Sequence, residues 1–192
     1  ILKMHHQLNY FTNIECDTII NLSNEYKDYG FKYQWYRDNY DKNNRKNINE
    51  ITSFQSFLIP NDSNTNWIFN KIEYFFEEVT QIKFKKSINV CQLYKYSYGD
   101  KFYKHIDLNT FFPKRRWNLG VQLNEDYEGG EYLCWNGLNE DDSVKIIPKN
   151  TGTICCYHSR QLHEIKEITK GNRWSLVIKI DSDFIYEKKS II

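Results

Sequence analysis

Two stretches set polar, metal-ligating side chains among strand-forming residues. In YSYGDKFYKHIDLNTFF, His105 and Asp107 stand two apart between aromatics, and in LHEIKEITKGNRWSLVIKI, His163 stands ten residues ahead of Arg173. Residues two apart on a strand share a face, so His105 and Asp107 would aim an imidazole and a carboxylate at one point. His163, on a later strand, would supply a third ligand.

Two neutral imidazoles and one carboxylate on one face of a metal leave three cis positions open, the arrangement associated with non-haem Fe(II) oxygenases. Zinc is the rival metal, because such donor sets also serve hydrolytic sites. Arg173 and Ser175, again two apart, would face inward together. A buried arginine is costly unless it meets an anion, and its planar fork suits a carboxylate. A dicarboxylate co-substrate held by the metal at one end and by Arg173 at the other would make the two groups explain one another. Taken singly, His163 reads as a hydrogen-bonded structural histidine and Asp107 as a turn cap. His158, in an expected turn, is the rival for the third ligand.

The elements that must position these residues follow from pattern. CDTIINLSNEYKDYG predicts a helix closing at Gly30 as its C′ residue, and NDSNTNWIFNKIEYFFEEVTQI predicts a second, capped by Asp62, Ser63 or Asn64, with Trp67, Ile68, Ile72, Phe75, Phe76 and Val79 at helical spacing. Beyond residue 87 the texture changes to short runs rich in β-branched and aromatic residues: INVCQLYKYS, RRWNLGVQLN, GEYLCW, SVKIIP, GTICCYH, HEIKEI and RWSLVIKI. These predict a sandwich or small barrel with helices against its outside, an α+β domain that is mainly β. Polar stretches near 36–50 and 108–116 read as loops able to close over a substrate.

YSYGDKFYKHID carries a Tyr-x-x-Gly-x-x-aromatic-x-x-His-x-Asp pattern, and SRQLHEIKEITKGNRWSLVIKI carries a distal His, Gly and Arg. Both resemble the Fe(II)/2-oxoglutarate dioxygenases, specifically the prolyl 4-hydroxylase-like branch. Between them RRWNLGVQLNEDYEGGEYLCW resembles that branch's basic strand, Leu-Asn turn and Gly-Gly-Glu strand, and VKIIPKNTGTICCY its Pro/Gly turn. The likeness runs from about residue 88 to 181, in family order and spacing. It implies a double-stranded β-helix (jelly roll, cupin-like) core over 88–181, with helical support and the first strands over 1–87 on one side, in a single domain spanning 1–192.

The resemblance implies further that His105, Asp107 and His163 bind Fe(II), that Arg173 pairs with the far carboxylate of 2-oxoglutarate, that Ser175 hydrogen-bonds it and that Tyr96 lines its pocket. Arg115, Tyr103 and Lys179 are the candidate substrate contacts. The implied reaction consumes O2 and 2-oxoglutarate, gives succinate and CO2, hydroxylates a C–H bond, and uses ascorbate as reductant. The leading substrate is a prolyl residue of a protein or peptide. Two positions depart from the branch: Gln122 stands where the oxygen-sensing members carry a tyrosine, and Lys179 replaces an aromatic residue.

Composition bounds these readings. Apolar residues at 40% and aromatic ones at 17% provide far more packing material than a disordered chain carries. A formal charge of +1 gives no whole-molecule field toward nucleic acid, which counts against a nucleic-acid demethylase. Five cysteines without a Cys-x-x-Cys pair suggest neither a zinc cluster nor a disulfide framework, and so a reducing, cytoplasmic setting. Neither a membrane span nor a signal peptide is expected. The abundance of Asn, Ile, Lys and Tyr fits an AT-rich bacterial or viral genome. Hydroxylation of a free amino acid or other small molecule, and a non-catalytic binding module on a jelly roll, stay open beside the prolyl reading.

Overall fold

The computed structural model describes residues 4–40, 47–108, 110–137 and 143–186, with the backbone alone over 35–40 and 47–52. Strand β1 (His5–Gln7) leads into helix α1 (Asn13–Glu25). The helix starts three residues before the expected Cys16 because Thr12 and Glu15 form a capping box. The Glu15 N–H donates to the Thr12 hydroxyl at 3.2 Å, and the Thr12 N–H donates to the Glu15 carboxylate at 2.8 Å. It also ends earlier than expected, at Glu25. Gly30 is not its C′ residue: with φ at −84° it opens strand β2 (Gly30–Tyr40), where a Cβ would sit 2.8 Å from the Phe57 ring.

Strand β3 (Asn47–Pro60) pairs with β2 in unbroken antiparallel register, from Gly30 opposite Phe57 to Tyr40 opposite Asn47. The loop expected over 36–50 is therefore strand at 36–40 and 47–50, while 41–46 lie outside the described residues. Helix α2 (Asn66–Thr80) follows, capped at Thr65 rather than at the expected Asp62, Ser63 or Asn64. The Asp62 carboxylate is spent one turn earlier, accepting from the Asn64 N–H at 2.8 Å, and the Thr65 hydroxyl donates to the Pro60 carbonyl.

The remaining strands are β4 (Val90–Tyr96), β5 (Phe102–His105), β6 (Arg115–Gln122), β7 (Glu128–Gly129), β8 (Tyr132–Trp135), β9 (Val144–Ile147), β10 (Ile154–His158), β11 (His163–Ile165), β12 (Ile168–Lys170) and β13 (Arg173–Asp181). HEIKEI thus divides between β11 and β12. Arg115 and Arg116 begin β6, as RRWNLGVQLN predicts, so the loop expected over 108–116 stops short of them. The large sheet runs β1-β10-β6-β13-β4-β3-β2, the small one β5-β11-β8-β9, and β12 pairs with β7. Every one of these pairings is antiparallel. The architecture is the expected one, an α+β, mainly β double-stranded β-helix with helices on one side.

Strand alternation decides what each face of the large sheet carries. On β13, Leu176, Ile178 and Ile180 join Leu93, Leu119, Ile154 and Cys156 in a core shared with Ile19 and Leu22 of α1 and Ile68, Ile72, Phe75 and Phe76 of α2. The intervening residues Arg173, Ser175, Val177 and Lys179 turn to the opposite face, lining a pocket with Tyr94 and Tyr96 of β4, Gln122 of β6 and Tyr157 of β10. Both faces are covered, so these strands read as nearly continuous apolar runs interrupted by the few polar residues of the pocket. Lys71 on α2 ties the two helices together through a 2.8 Å ion pair with Glu15.

Gly152 closes the turn before β10. Its carbonyl accepts from the N–H groups of Tyr10 and Phe11, and its own N–H donates to the Gln122 carbonyl. With φ at +80° and a Cβ at this position falling 1.9 Å from the Phe11 carbonyl oxygen, the turn excludes side chains. Gly152→Ala is expected to cost about 3 kcal/mol or more, combining left-handed strain with overpacking. A chemical-denaturation midpoint equal to the parent's would contradict this.

All five cysteines are free and buried. Among the described residues no helix is long and apolar enough to cross a membrane.

Candidate active site

His105 and His163 are brought together by register: β5 and β11 pair with these two residues directly opposite, and their ring centroids lie 4.2 Å apart. Each imidazole is oriented through Nδ1 by a backbone carbonyl two residues earlier, His105 by Tyr103 at 2.6 Å and His163 by Gln161 at 3.0 Å. With Nδ1 carrying the proton, both Nε2 atoms turn to the pocket as lone-pair donors, the arrangement a metal-ligating histidine needs. Asp107 lies just past the end of β5 rather than on it. Its N–H donates to the Ser159 carbonyl at 3.0 Å, which fixes the turn. Asp107 Oδ1 then stands 3.5 Å from His105 Nε2, and Oδ2 stands 3.7 Å from His163 Nε2. Among the described residues these three form the cluster of donors able to hold a metal ion, with ligand atoms all within 4.8 Å of one another.

The electrostatics favour the metal-ready protonation states. Burial, assisted by His105, lowers the His163 pKa from 6.5 to about 3, so the ring is neutral at pH 7. Burial alone would push the Asp107 carboxyl up, but Lys179, whose Nζ lies 3.1 Å from Oδ1, outweighs it together with the two histidines and holds Asp107 well below the usual carboxylate range.

A pH dependence follows for the metal-free protein. Below pH 6.5 the unfolded chain takes up a proton that folded His163 refuses, so stability is full above 6.5 and declines as pH falls toward 3, at up to about 1.4 kcal/mol per pH unit. Asp107 acts in the same sense below the ordinary carboxylate pKa. Urea unfolding in the presence of a chelator should show a shallower decline between pH 6.5 and 4 for His163→Gln than for the parent. Equal slopes would refute the assignment.

Arg173 lies on the same pocket, 1% exposed. Its guanidinium donates to Ser175 Oγ at 3.0 Å and Gln122 Oε1 at 2.8 Å, and sits over the rings of Tyr96 at 5.3 Å and Tyr132 at 5.7 Å. Among the described residues its Nε has no hydrogen-bond partner and no carboxylate pairs with it. A buried guanidinium held only by neutral acceptors is a receptor for an anion. Gln122, where the oxygen-sensing members of the resembled branch carry a tyrosine, thus spends its amide oxygen on Arg173.

The candidate substrate residues fare differently. Lys179 lines the pocket. Arg115 does not: its Nε donates to Asp181 at 3.0 Å and its guanidinium covers the Phe112 ring. Tyr103 is also outside the lining, its ring against the Lys101 ammonium. The cause is a bulge, since Ile165 opposes Phe102 while His163 opposes His105, so Phe102 takes the pocket face instead and packs edge-on against His105 with centroids 4.0 Å apart. His158, the rival ligand, packs against Trp117 and accepts from the Arg160 N–H. Sequence reasoning missed Phe102 and the mutually hydrogen-bonded hydroxyls of Tyr132 and Tyr157 beside His163. The aromatic content of their strands was the only signal for either.

The fold is a double-stranded β-helix that brings a candidate metal-binding cluster and a buried arginine close together. Residues 91–179 match the family model of the 2OG-Fe(II) oxygenase superfamily. A PKHD-type hydroxylase of Prochlorococcus marinus is 39% identical over 79 residues, 39% of this chain and 34% of that protein. The chain therefore aligns with about a third of the length of such relatives. Among solved structures, a Pseudomonas putida prolyl-4-hydroxylase superposes with a TM-score of 0.64 at 13% identity, covering 97% of this chain and 93% of that one. A Trichoplax adhaerens prolyl hydroxylase, in complex with a hypoxia inducible factor peptide fragment, superposes with a TM-score of 0.65 at 16% identity, covering 93% and 83%.

Proposed function

We propose that this chain is an Fe(II)- and 2-oxoglutarate-dependent dioxygenase that hydroxylates a prolyl residue of a protein or peptide. The observation that carries the dioxygenase reading is one pocket lined by Asp107, His163 and the anion-seeking Arg173, with His105 completing the cluster of metal donors beside it. The donor set of two neutral imidazoles and one carboxylate fits Fe(II), with His105, Asp107 and His163 as its ligands. When bound, Fe(II) and 2-oxoglutarate supply O2 activation coupled to oxidative decarboxylation, giving succinate, CO2 and a hydroxylated C–H bond, with ascorbate keeping the iron reduced.

The protein's own part is binding, orientation and exclusion of water. Arg173 would take the far carboxylate of 2-oxoglutarate through its unsatisfied edge, Ser175 would add a hydroxyl, and Tyr96 would wall the pocket behind it. The Tyr103 and Gln161 carbonyls hold the two imidazoles in one tautomer. Phe102, Tyr132 and Tyr157 surround the rings with apolar and phenolic bulk, limiting water beside them.

The relatives named as hydroxylases support hydroxylation, and the peptide-bound prolyl hydroxylase among the structural neighbours supports a peptidyl substrate. A small-molecule substrate is the second reading, favoured by the near closure of the site: the side chains of His105, Asp107 and His163 are only 10%, 9% and 6% exposed. The near-neutral charge lends nothing to a nucleic-acid substrate. The two readings separate in one experiment. With Fe(II), 2-oxoglutarate, ascorbate and air, a pool of proline-containing peptides should gain one oxygen by mass on proline and raise succinate formation. A rise in succinate with free amino acids but not with peptides would overturn the peptidyl reading.

A further inference from the structure

Lys179 is on the pocket face of β13, six residues beyond Arg173, and its ammonium is hydrogen-bonded to Asp107 Oδ1 at 3.1 Å. Directly opposite it on β6 stands Asn118, which is also directly opposite Tyr157 on β10. Both cross-strand neighbours face the pocket, and residues paired across a sheet point to one side, so Asn118 does the same. Asn118 is 1% exposed, and among the described residues neither its amide nitrogen nor its amide oxygen has a hydrogen-bond partner. Buried carboxamides are almost always satisfied, so an orphan at this place calls for a cause.

A divalent cation held by His105, Asp107 and His163 and an ammonium within hydrogen-bonding distance of the same Asp107 carboxylate repel each other strongly at such range. The flexible four-carbon arm of lysine allows the ammonium to move while its backbone stays in the ladder. The unmet acceptor across the strand is the Asn118 amide oxygen.

Resting on the metal-site reading above, we propose that Lys179 is a positioning residue with two stations: it holds Asp107 in the metal-free protein and transfers to the Asn118 carboxamide when a divalent metal enters. Lys179 thereby keeps the buried carboxylate paired and in place while the site is empty, at the expense of metal affinity, and Asn118 offsets part of that expense.

The signature is a pair of opposite effects at adjacent residues. Calorimetric titration of metal-stripped protein with Mn(II), which needs no turnover, should give tighter binding for Lys179→Met by roughly tenfold or more. Asn118→Leu should bind several-fold more weakly than the parent, because the displaced ammonium has lost its second partner. In the double variant the Asn118 effect should vanish, a coupling that two independent structural roles would not produce. Lys179→Arg, which keeps the cation, should stay close to the parent, and Lys179→Met alone decides the sign if Asn118→Leu fails to fold. Parent binding with an unchanged or weaker Lys179→Met, or an Asn118→Leu effect that persists without Lys179, would overturn the inference. Absence of Mn(II) binding in all of the proteins would overturn the metal site itself.

Discussion

His163→Ala is expected to lose bound iron and, with it, all 2-oxoglutarate turnover. His163 is 5% exposed, begins β11 directly opposite His105, and is turned by the Gln161 carbonyl so that Nε2 faces Asp107. A methyl group in its place leaves two ligands of three. Loss of an outer-shell partner alone typically costs roughly 10–100-fold in metal affinity, so loss of a ligand should exceed about 100-fold. The folded protein should survive: below pH 6.5 the variant is relieved of a buried ring that resists protonation, so its stability at mildly acidic pH should decline less than the parent's. Equilibrium dialysis with metal analysis, beside a folding curve at pH 5, separates loss of the ligand from loss of the fold.

The second large effect is at Arg173. Arg173→Met keeps length and apolar bulk over Tyr96 and Tyr132 but removes the guanidinium. Truncating one partner of a buried, hydrogen-bonded charge pair costs about 2–5 kcal/mol, so the affinity for 2-oxoglutarate should fall by about 30-fold or more. Iron binding should persist, because Arg173 touches none of the three ligands: its described partners are Ser175 and Gln122. Stability without co-substrate should be retained, since the variant no longer buries a cation without an anion. Direct titration of 2-oxoglutarate into the Mn(II)-loaded variant measures the first effect, and thermal melting the second. An affinity within threefold of the parent would contradict the role of Arg173.

These two positions were also the most legible in the sequence. A histidine, an aspartate and an arginine in strand-forming runs conflict with their surroundings, and such local conflicts mark functional positions. Alternation then did the rest, because a period of two on β13 assigns Arg173, Ser175 and Lys179 to one face and Leu176, Ile178 and Ile180 to the other. Helix α2 was equally plain, its buried Ile68, Ile72, Phe75 and Phe76 recurring at helical spacing.

What the sequence concealed depended on partners far along the chain. The polar residues around 36–50 carry no strand signal of their own, and β2 and β3 extend because each satisfies the other's backbone in register. The Phe102-for-Tyr103 exchange comes from a bulge that no local pattern encodes. The first turn of α1 was missed because its signal lies in the polar pair Thr12 and Glu15 rather than in apolar spacing. Lys179 looked like a substrate contact at the pocket mouth. Its hydrogen bond to Asp107 joins residues 72 positions apart, which only the closed β-helix brings together.

The central claim is that His105, Asp107, His163 and Arg173 form one working centre for iron and 2-oxoglutarate. Succinate formation from 2-oxoglutarate under air, with Fe(II) and ascorbate, tests it most directly when parent, His163→Ala and Arg173→Met are compared at equal iron. The expected result is succinate from the parent, none from His163→Ala, and partial recovery of Arg173→Met only at greatly raised 2-oxoglutarate. Succinate from His163→Ala at the parent's rate would contradict it.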